Sequence, residues 1–227
     1  MSVIELKNDK ISAAFKTMGA ELTSLKDTEG TEYLWQGNPD YWSGQAPVLF
    51  PIIGCLRNGT ASVSGDKTCS FGRHGIARRK EFTLISSTED KAVFSLKADE
   101  ETKKQYPFDF ELQMTYELDG QKLKITHTVI NHDSIPMPFC VGGHPAFNCP
   151  ISEGEDFEDY VVEFEYPETA DCALLNEDAL IDNENQVPIL KDSSTLPVKH
   201  EMFYNDALIF DQLKSRKVSL KHKDQEK

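Results

Sequence analysis

Short stretches in which apolar and polar residues alternate, separated by turn residues, recur along most of this chain of 227 residues. The clearest pair, residues 108–118 and 121–131, lies on either side of Asp119-Gly120, a dipeptide that favours a tight hairpin turn. No sustained amphipathic helix is found between such stretches, which argues against a parallel sheet with crossover helices. The pattern therefore predicts an all-β fold, a large sandwich of antiparallel strands.

The same pattern predicts most of the remaining elements. Further strands are predicted at residues 3–7, 11–15, 20–25, 32–35, 60–64, 67–71, 82–87, 92–97, 157–166, 206–210 and 217–222. Residues 99–106 are charged and do not alternate, which predicts one helical turn. Residues 168–197 are acidic and weakly patterned, which predicts loops with solvated charges. Because no linker or repeat interrupts the series, residues 1–227 are expected to form a single domain.

Charge and cysteine content narrow the range of partners and compartments. The formal net charge is −14 and the sequence pI is about 4.8, so nucleic acid and anionic membranes are poor partners. The first residues lack the apolar run of a signal peptide, and no segment approaches the length of a membrane span. The five cysteines follow no disulfide spacing, which favours free thiols in a reducing cytoplasm.

The most distinctive motif is Gly142-Gly143-His144-Pro145-Ala146-Phe147-Asn148. Its two glycines allow a close approach of the backbone, and Pro145 prevents the segment from continuing as an ordinary paired strand. One interpretation is a histidine presented to a ligand. The other is a tight turn in which His144 is incidental.

Arginine is concentrated around a second histidine, His74. Only five arginines occur, and four of them lie close to His74 in the sequence: Arg57, Arg73, Arg78 and Arg79. A guanidinium group offers a planar set of donors that suits vicinal hydroxyls, carboxylates or phosphate. In so acidic a chain the cluster predicts a local positive site, with a solvated basic surface as the alternative.

Residues 36–54 form a long irregular passage that contains Tyr41, Trp42 and Phe50. Long loops inside a compact domain are often functional, because ordering them costs conformational entropy. The alternative is that Trp35 and Trp42 simply cap the core, since tryptophan is highly buried on average.

Chemistry that requires a nucleophile or a metal finds little support. The chain has no Gly-x-Ser-x-Gly elbow, and Cys140, His144 and Cys149 match no common zinc spacing and lack a fourth ligand, so no cofactor is expected. His127 shares a strand face with apolar residues and is predicted to be a satisfied core histidine. His74 and His144 remain, and a histidine exchanges protons readily near neutral pH.

Six motifs, taken in chain order, make the chain recognisable. They are Gly19-Ala20-Glu21-Leu22, Glu32-Tyr33-Leu34-Trp35, Ala46-Pro47-Val48-Leu49-Phe50-Pro51, Leu56-Arg57-Asn58-Gly59, His74-Gly75-Ile76-Ala77-Arg78 and the motif around His144. Together they resemble the aldose 1-epimerase (galactose mutarotase) superfamily, in particular its bacterial LacX-like branch. The resemblance implies a galactose-mutarotase-like β-supersandwich and an isomerase that interconverts the α and β anomers of a hexose or hexose phosphate.

The resemblance also implies roles for individual residues, namely catalysis by His144 and His74 and substrate binding by Arg57, Arg78 and Asp206. His144 would be the general acid that protonates the ring oxygen. His74, with help from Arg57, would hold that oxygen or the neighbouring hydroxyl. Asp206 matches the sugar-binding aspartate of the family, and the arginines beside Arg78 suggest a phosphorylated sugar.

One part of the family pattern is not found. The family's general base is a glutamate in a late segment resembling Ile-Glu-Pro-Trp, and no such segment occurs in these 227 residues. The polypeptide is either truncated at the C-terminus, without the last strands of the family, or a form that lacks the base. Little mutarotase activity is therefore expected, and a non-catalytic carbohydrate-binding protein is the alternative. A glycoside hydrolase would need two facing carboxylates and ranks last.

Overall fold

The computed structural model describes residues 3–224, and the chain divides into two compact units, Met1–Asn148 and Cys149–Lys227. Each unit contains its own cluster of buried apolar side chains. The single domain expected over residues 1–227 stays a prediction, and its residues 1, 2 and 225–227 lie outside the described part of the chain.

The first unit is built from short antiparallel strands. Its elements are β1 (Val3–Lys7), β2 (Ile11–Lys16), β3 (Leu22–Asp27), β4 (Val48–Leu49), β5 (Thr60–Ser62), β6 (Thr68–Ser70), β7 (Thr83–Ser87), β8 (Lys91–Lys97), α1 (Glu100–Gln105), β9 (Phe110–Asp119), β10 (Lys122–Asn131) and β11 (Gly142–Gly143). The strands form a sheet in the order β1-β2-β3, a sheet in the order β10-β9-β8-β7, and the pairs β4 with β11 and β5 with β6. Every one of these pairings is antiparallel, as the alternation predicts.

The hairpin of β9 and β10 shows how the alternation produces a core. Asp119 pairs with Lys122 across a turn in which Gly120 has a φ of 57°. Side chains at alternate positions of β9 point into the core and are buried: Phe110, Leu112, Met114, Tyr116 and Leu118. The predicted hairpin is thus confirmed. The predicted helical turn is also present as α1, where the Asp99 carboxylate accepts a hydrogen bond from the Thr102 amide at 2.6 Å.

Aromatic rings fill the core of the first unit. The ring centroids of Phe15 and Tyr116 are 4.3 Å apart, and those of Phe50 and Phe110 are 5.1 Å apart. The buried Tyr116 hydroxyl donates a hydrogen bond to the Ala20 carbonyl at 2.7 Å. Because Phe50 directly follows β4 and is fully buried, the β4 segment is anchored in this core.

Small differences from the sequence-based prediction occur in the first unit. Residues 32–35 make isolated bridges, from Glu32 to Lys26 and from Leu34 to Phe147, instead of a continuous strand. The passage 36–54, predicted to be irregular throughout, contains β4. These pairings are too short to show a two-residue period, so the alternation could not reveal them.

His127 differs from its prediction in one respect. It lies half-buried on β10, as its strand face predicts, and burial lowers the pKa of its imidazole. Its Nε2, however, is buried without a hydrogen-bond partner. The prediction of a satisfied core histidine is therefore wrong.

The second unit is a single sheet in the order β13-β12-β14, formed by β12 (Tyr160–Leu175), β13 (Ile181–Pro197) and β14 (Val218–His222). Both pairings are antiparallel. Phe164, Leu190 and Leu196 form the buried cluster of this unit.

Two predictions for the second unit are wrong. Residues 168–197, predicted to be loops, belong mostly to the long β12–β13 ribbon, whose register shifts break the alternation along the sequence. Glu168, predicted to be solvated, is buried and accepts a hydrogen bond from the Ser215 amide at 2.6 Å. Hydrogen bonds from Ser215 lower the pKa of Glu168. Residues 206–210, predicted to be a strand, make only an isolated bridge from Ile209 to Ala173.

Candidate active site

The backbone of residues 45–51 lies between the two segments that carry His144 and His74. On one side, β4 pairs with β11, and the ladder continues with a hydrogen bond from the His144 amide to the Pro47 carbonyl at 3.1 Å. On the other side, the Phe50 carbonyl accepts hydrogen bonds from the amides of Ile76 at 2.8 Å and Ala77 at 3.2 Å. One short strand therefore positions both histidine segments.

Gly75 allows the segment of His74 to approach the Phe50 carbonyl closely. Its φ is 74°, in the left-handed region, and a Cβ placed on it would lie 2.3 Å from the Phe50 carbonyl oxygen. Any other residue would combine backbone strain with a clash against main-chain atoms. The glycine after His74 in the sequence thus has a direct physical reason.

His74 is held firmly by the backbone of Gly54. Its own φ is 68°, a left-handed conformation that is uncommon for a non-glycine residue. The His74 amide donates to the Gly54 carbonyl at 2.8 Å, and His74 Nδ1 accepts from the Gly54 amide at 3.0 Å. Because Nδ1 is an acceptor, a neutral His74 carries its proton on Nε2 and acts there as a donor.

His144 lies beside His74. The centroids of the two imidazole rings are 5.7 Å apart, with 57° between the ring planes. His144 is exposed. The indole of Trp42 lies next to its imidazole, with ring centroids 5.2 Å apart. Two imidazole groups, a side-chain type that can donate or accept a hydrogen bond at either nitrogen, are thus brought together in the first unit.

The residues after His144 fix the motif to a third segment. The Asn148 side-chain amide donates to the Glu32 carbonyl at 2.8 Å. The backbone N–H of Asn148 donates to the Tyr33 carbonyl at 2.8 Å. The Trp35 amide in turn donates to the Ala146 carbonyl at 2.9 Å. Asn148 therefore acts as a structural anchor that keeps the His144 segment in place.

Glu21 is an anchor that the sequence motifs did not reveal as such. Glu21 is only 5% exposed, and its carboxylate accepts hydrogen bonds from the backbone amides of Gln45 at 3.0 Å and Ala46 at 2.9 Å. It also pairs with the Lys16 ammonium group at 2.6 Å. A glutamate within an apolar run, in Gly19-Ala20-Glu21-Leu22, was the only signal that could have revealed it.

The guanidinium groups of Arg73 and Arg79 lie close enough to Arg78 for their charges to act on it. Burial, and then the charges of Arg79 and Arg73, lower the pKa of Arg78, while Glu21 raises it. Arg78 Nε is buried without a hydrogen-bond partner. Arg57 is exposed on a short 3₁₀ helix, Arg57–Gly59.

Asp206 belongs to the second unit and is described with it. It follows the 3₁₀ helix His200–Phe203, and its φ is 79°. Its carboxylate accepts a hydrogen bond from the Ala207 amide at 2.8 Å. The structure thus brings His74 and His144 together within the first unit, and the substrate-binding roles of Arg57, Arg78 and Asp206 stay predictions.

Within residues 3–224, no group of three or more His, Cys, Asp or Glu side chains is arranged to hold a metal ion. In the same part of the chain, every helix falls short of the length and apolar character that a membrane crossing requires.

Comparison with known proteins identifies the family to which this chain belongs. Residues 2–227 match the family described as aldose 1-epimerase. The chain belongs to the aldose 1-epimerase family. It is 42% identical to the plasmid-encoded protein LacX of Lactococcus lactis, a similarity that covers 96% of this chain and 75% of LacX. It is 27% identical to a putative glucose-6-phosphate 1-epimerase of Escherichia coli, covering 79% of this chain and 68% of that protein.

Solved structures of family members share the fold. A galactose mutarotase-related enzyme of Lactobacillus acidophilus is 35% identical and superposes with a TM-score of 0.91, covering 99% of this chain and 75% of that one. A galactose mutarotase-like protein of Lactobacillus casei is 28% identical, with a TM-score of 0.90 and coverage of 99% and 77%. The antiparallel, galactose-mutarotase-like fold expected from the sequence is therefore confirmed.

The close approach at Gly75 predicts a large loss of stability on substitution. Gly75→Ala should lower the free energy of unfolding by about 2 kcal/mol or more, because strain and a main-chain clash act together. Gly72→Ala is the matched control, since its Cβ would meet nothing within 4 Å, and it should change the free energy of unfolding by less than about 0.5 kcal/mol. Urea unfolding followed by the fluorescence of Trp35 and Trp42 measures both. Equal midpoints for the two variants would contradict the prediction.

Glu21→Ala should also destabilise the first unit, by about 2 kcal/mol, because it leaves two backbone amides without their acceptor and the partly exposed Lys16 without its partner. Glu117→Ala is the control, since it removes an ion pair with Lys91 at 2.9 Å in which both side chains are more exposed. The same urea titration should show a much smaller change for the control. A comparable effect of the two substitutions would mean that Glu21 does not anchor residues 45 and 46.

Proposed function

We propose that this chain is an aldose 1-epimerase that interconverts the α and β anomers of a hexose or hexose phosphate. The observation that carries the proposal is the pair formed by His74 and His144, whose ring centroids are 5.7 Å apart. Backbone hydrogen bonds to residues 45–51 hold both of their segments. Family membership supports the reaction class. The five free cysteines support a reducing compartment such as the cytoplasm.

The reaction needs a proton to be moved between two oxygens of the sugar. A base removes the proton of the anomeric hydroxyl while an acid protonates the ring oxygen, and the C1–O5 bond breaks to give the open-chain aldehyde. Rotation about the C1–C2 bond followed by the reverse proton transfers closes the other anomer. His144 is the proposed acid, and His74, with its proton on Nε2, is the proposed donor of a hydrogen bond to the same region of the sugar. A positioned acid or base typically contributes about 10²–10⁴-fold to such a rate.

The base is the open part of this proposal. The resemblance implies a glutamate in an Ile-Glu-Pro-Trp-like segment, and the 227 residues contain no such segment. We therefore expect the polypeptide of these residues to bind sugar but to turn it over slowly. A non-catalytic carbohydrate-binding protein is the second candidate, because it would use the same aromatic and polar groups without the base.

Mutarotation of freshly dissolved α-galactose, followed by optical rotation, tests this function. The 227-residue polypeptide should give a rate only slightly above that of buffer. His144→Ala should remove the excess rate, whereas the control His132→Gln, an exposed histidine 3.6 Å from Glu111, should retain it.

Each result of the optical rotation measurement has a distinct meaning. A rate far above that of buffer would contradict the expected lack of a base. An excess rate that survives His144→Ala would contradict the role of His144. No excess rate, with galactose binding retained by both variants in calorimetry, would favour the carbohydrate-binding protein.

The arginine cluster favours a phosphorylated substrate. Arg73, Arg78 and Arg79 place three positive charges close enough to affect one another in a protein of net charge −14. Such a cluster attracts an anion, and guanidinium groups match phosphate oxygens well. The name of the Escherichia coli relative, a putative glucose-6-phosphate 1-epimerase, supports the same substrate class.

Calorimetric affinities for galactose and galactose 6-phosphate test this preference. The phosphate ester should bind about tenfold or more tightly at low salt, and the advantage should shrink as salt screens the cluster. Arg79→Gln should reduce the advantage, whereas Arg216→Gln, which changes the one arginine outside the cluster, should not. Equal or weaker binding of the phosphate ester would contradict the proposal.

A further inference from the structure

Trp42 stands beside the proposed acid, and the mechanism above gives it no role. Its indole and the His144 imidazole have ring centroids 5.2 Å apart, and their planes are inclined by 50°. The next ring along is that of His74, 5.7 Å from His144. Trp42 therefore extends the pair of histidines into a row of three rings, and its side chain is only partly buried.

The main chain that carries this indole is held by hydrogen bonds before any ligand arrives. The Trp42 amide donates to the Asn38 carbonyl at 2.8 Å, and the Trp42 carbonyl accepts from the Trp35 indole Nε1 at 2.8 Å. Gln45, just beyond, donates its side-chain amide to the Thr23 carbonyl at 2.9 Å. A loop held at both ends in this way presents an aromatic face with little further loss of conformational entropy.

Gly44 provides a second and independent observation. A Cβ placed on Gly44 would lie 2.4–2.9 Å from three atoms of the Trp42 ring. The φ of Gly44 is not in the left-handed region, so close packing against the ring is the reason for a glycine here. The absent side chain lets the indole lie directly against the main chain.

We infer that Trp42 is the aromatic face on which the pyranose ring of the substrate rests beside His144. A pyranose is amphipathic, with C–H groups on its faces and hydroxyls at its edge, so an aromatic face can bury the former while polar groups bind the latter. The inference rests on the proposed function for the identity of the ligand, and it adds the residue that orients the sugar toward the acid. Trp42 is thus a positioning residue that governs affinity.

A fluorine label reads out this contact directly. The chain has only two tryptophans, Trp35 and Trp42, so protein containing 5-fluorotryptophan gives two ¹⁹F resonances, which Trp42→Phe assigns. Titration with D-galactose should shift the Trp42 resonance in a saturable manner and leave that of Trp35 nearly unchanged. Absence of a saturable shift at Trp42 would overturn the inference.

Variants supply a test that does not depend on the label. Trp42→Leu should weaken the calorimetric affinity for D-galactose about tenfold, and Trp42→Phe less, because an aromatic face is retained. Gly44→Ala should weaken it as well, because the new Cβ displaces the indole without removing it. Tyr41→Leu is the matched control in the same loop, with a side chain that is 83% exposed, and it should leave the affinity unchanged.

The outcomes separate this inference from the proposed function. Galactose binding that is unchanged in Trp42→Leu overturns the inference, even if mutarotation still depends on His144 and the proposed function stands. A Trp42-dependent shift without any catalysed mutarotation supports the inference and counts against the epimerase. If Trp42→Leu does not fold, Gly44→Ala and the fluorine titration still decide the question.

Discussion

The backbone hydrogen bonds of residues 45–51 hold the candidate active site together. On one side they join β4 to the segment of His144, and on the other they join Phe50 to the turn that follows His74. The Phe50 side chain is buried in the aromatic core, and Glu21 binds the amides at the start of the segment. The site thus inherits its rigidity from the core, which is what general acid–base chemistry needs from a scaffold.

Much of the first unit could be predicted from the sequence because its strands are local. Hairpins such as β9–β10 carry an alternation and a turn dipeptide that both act over a few residues. The two-residue pair β4–β11 carries neither signal, since its partners are more than 90 positions apart in the sequence and are specified only by the complete fold. In the second unit, the bulges of the β12–β13 ribbon removed the alternation itself, so a long paired region looked like a loop.

The two histidines of the candidate site could be predicted from the sequence, but the residues that hold their segments in place could not. His74 and His144 lie in unusual glycine-containing motifs, which made them visible and led to the resemblance with the epimerase family. Glu21 accepts hydrogen bonds from amides more than 20 positions away in the sequence, so its role as an anchor is specified only by the complete fold. The left-handed conformation of His74 is likewise held by hydrogen bonds with the Gly54 backbone, a contact between residues 20 positions apart in the sequence.

The dependence of the site on main-chain pairing has a consequence for how members of this family can diverge. The pairing uses main-chain donors and acceptors, which every residue except proline supplies in full, so it depends on the spacing of residues 45–51 along the chain. An insertion or deletion of one residue would shift the register, and the carbonyls of Pro47 and Phe50 could no longer meet their partners together. The length of this stretch should therefore be preserved among relatives, whereas the exposed turn of the β12–β13 ribbon can vary in length.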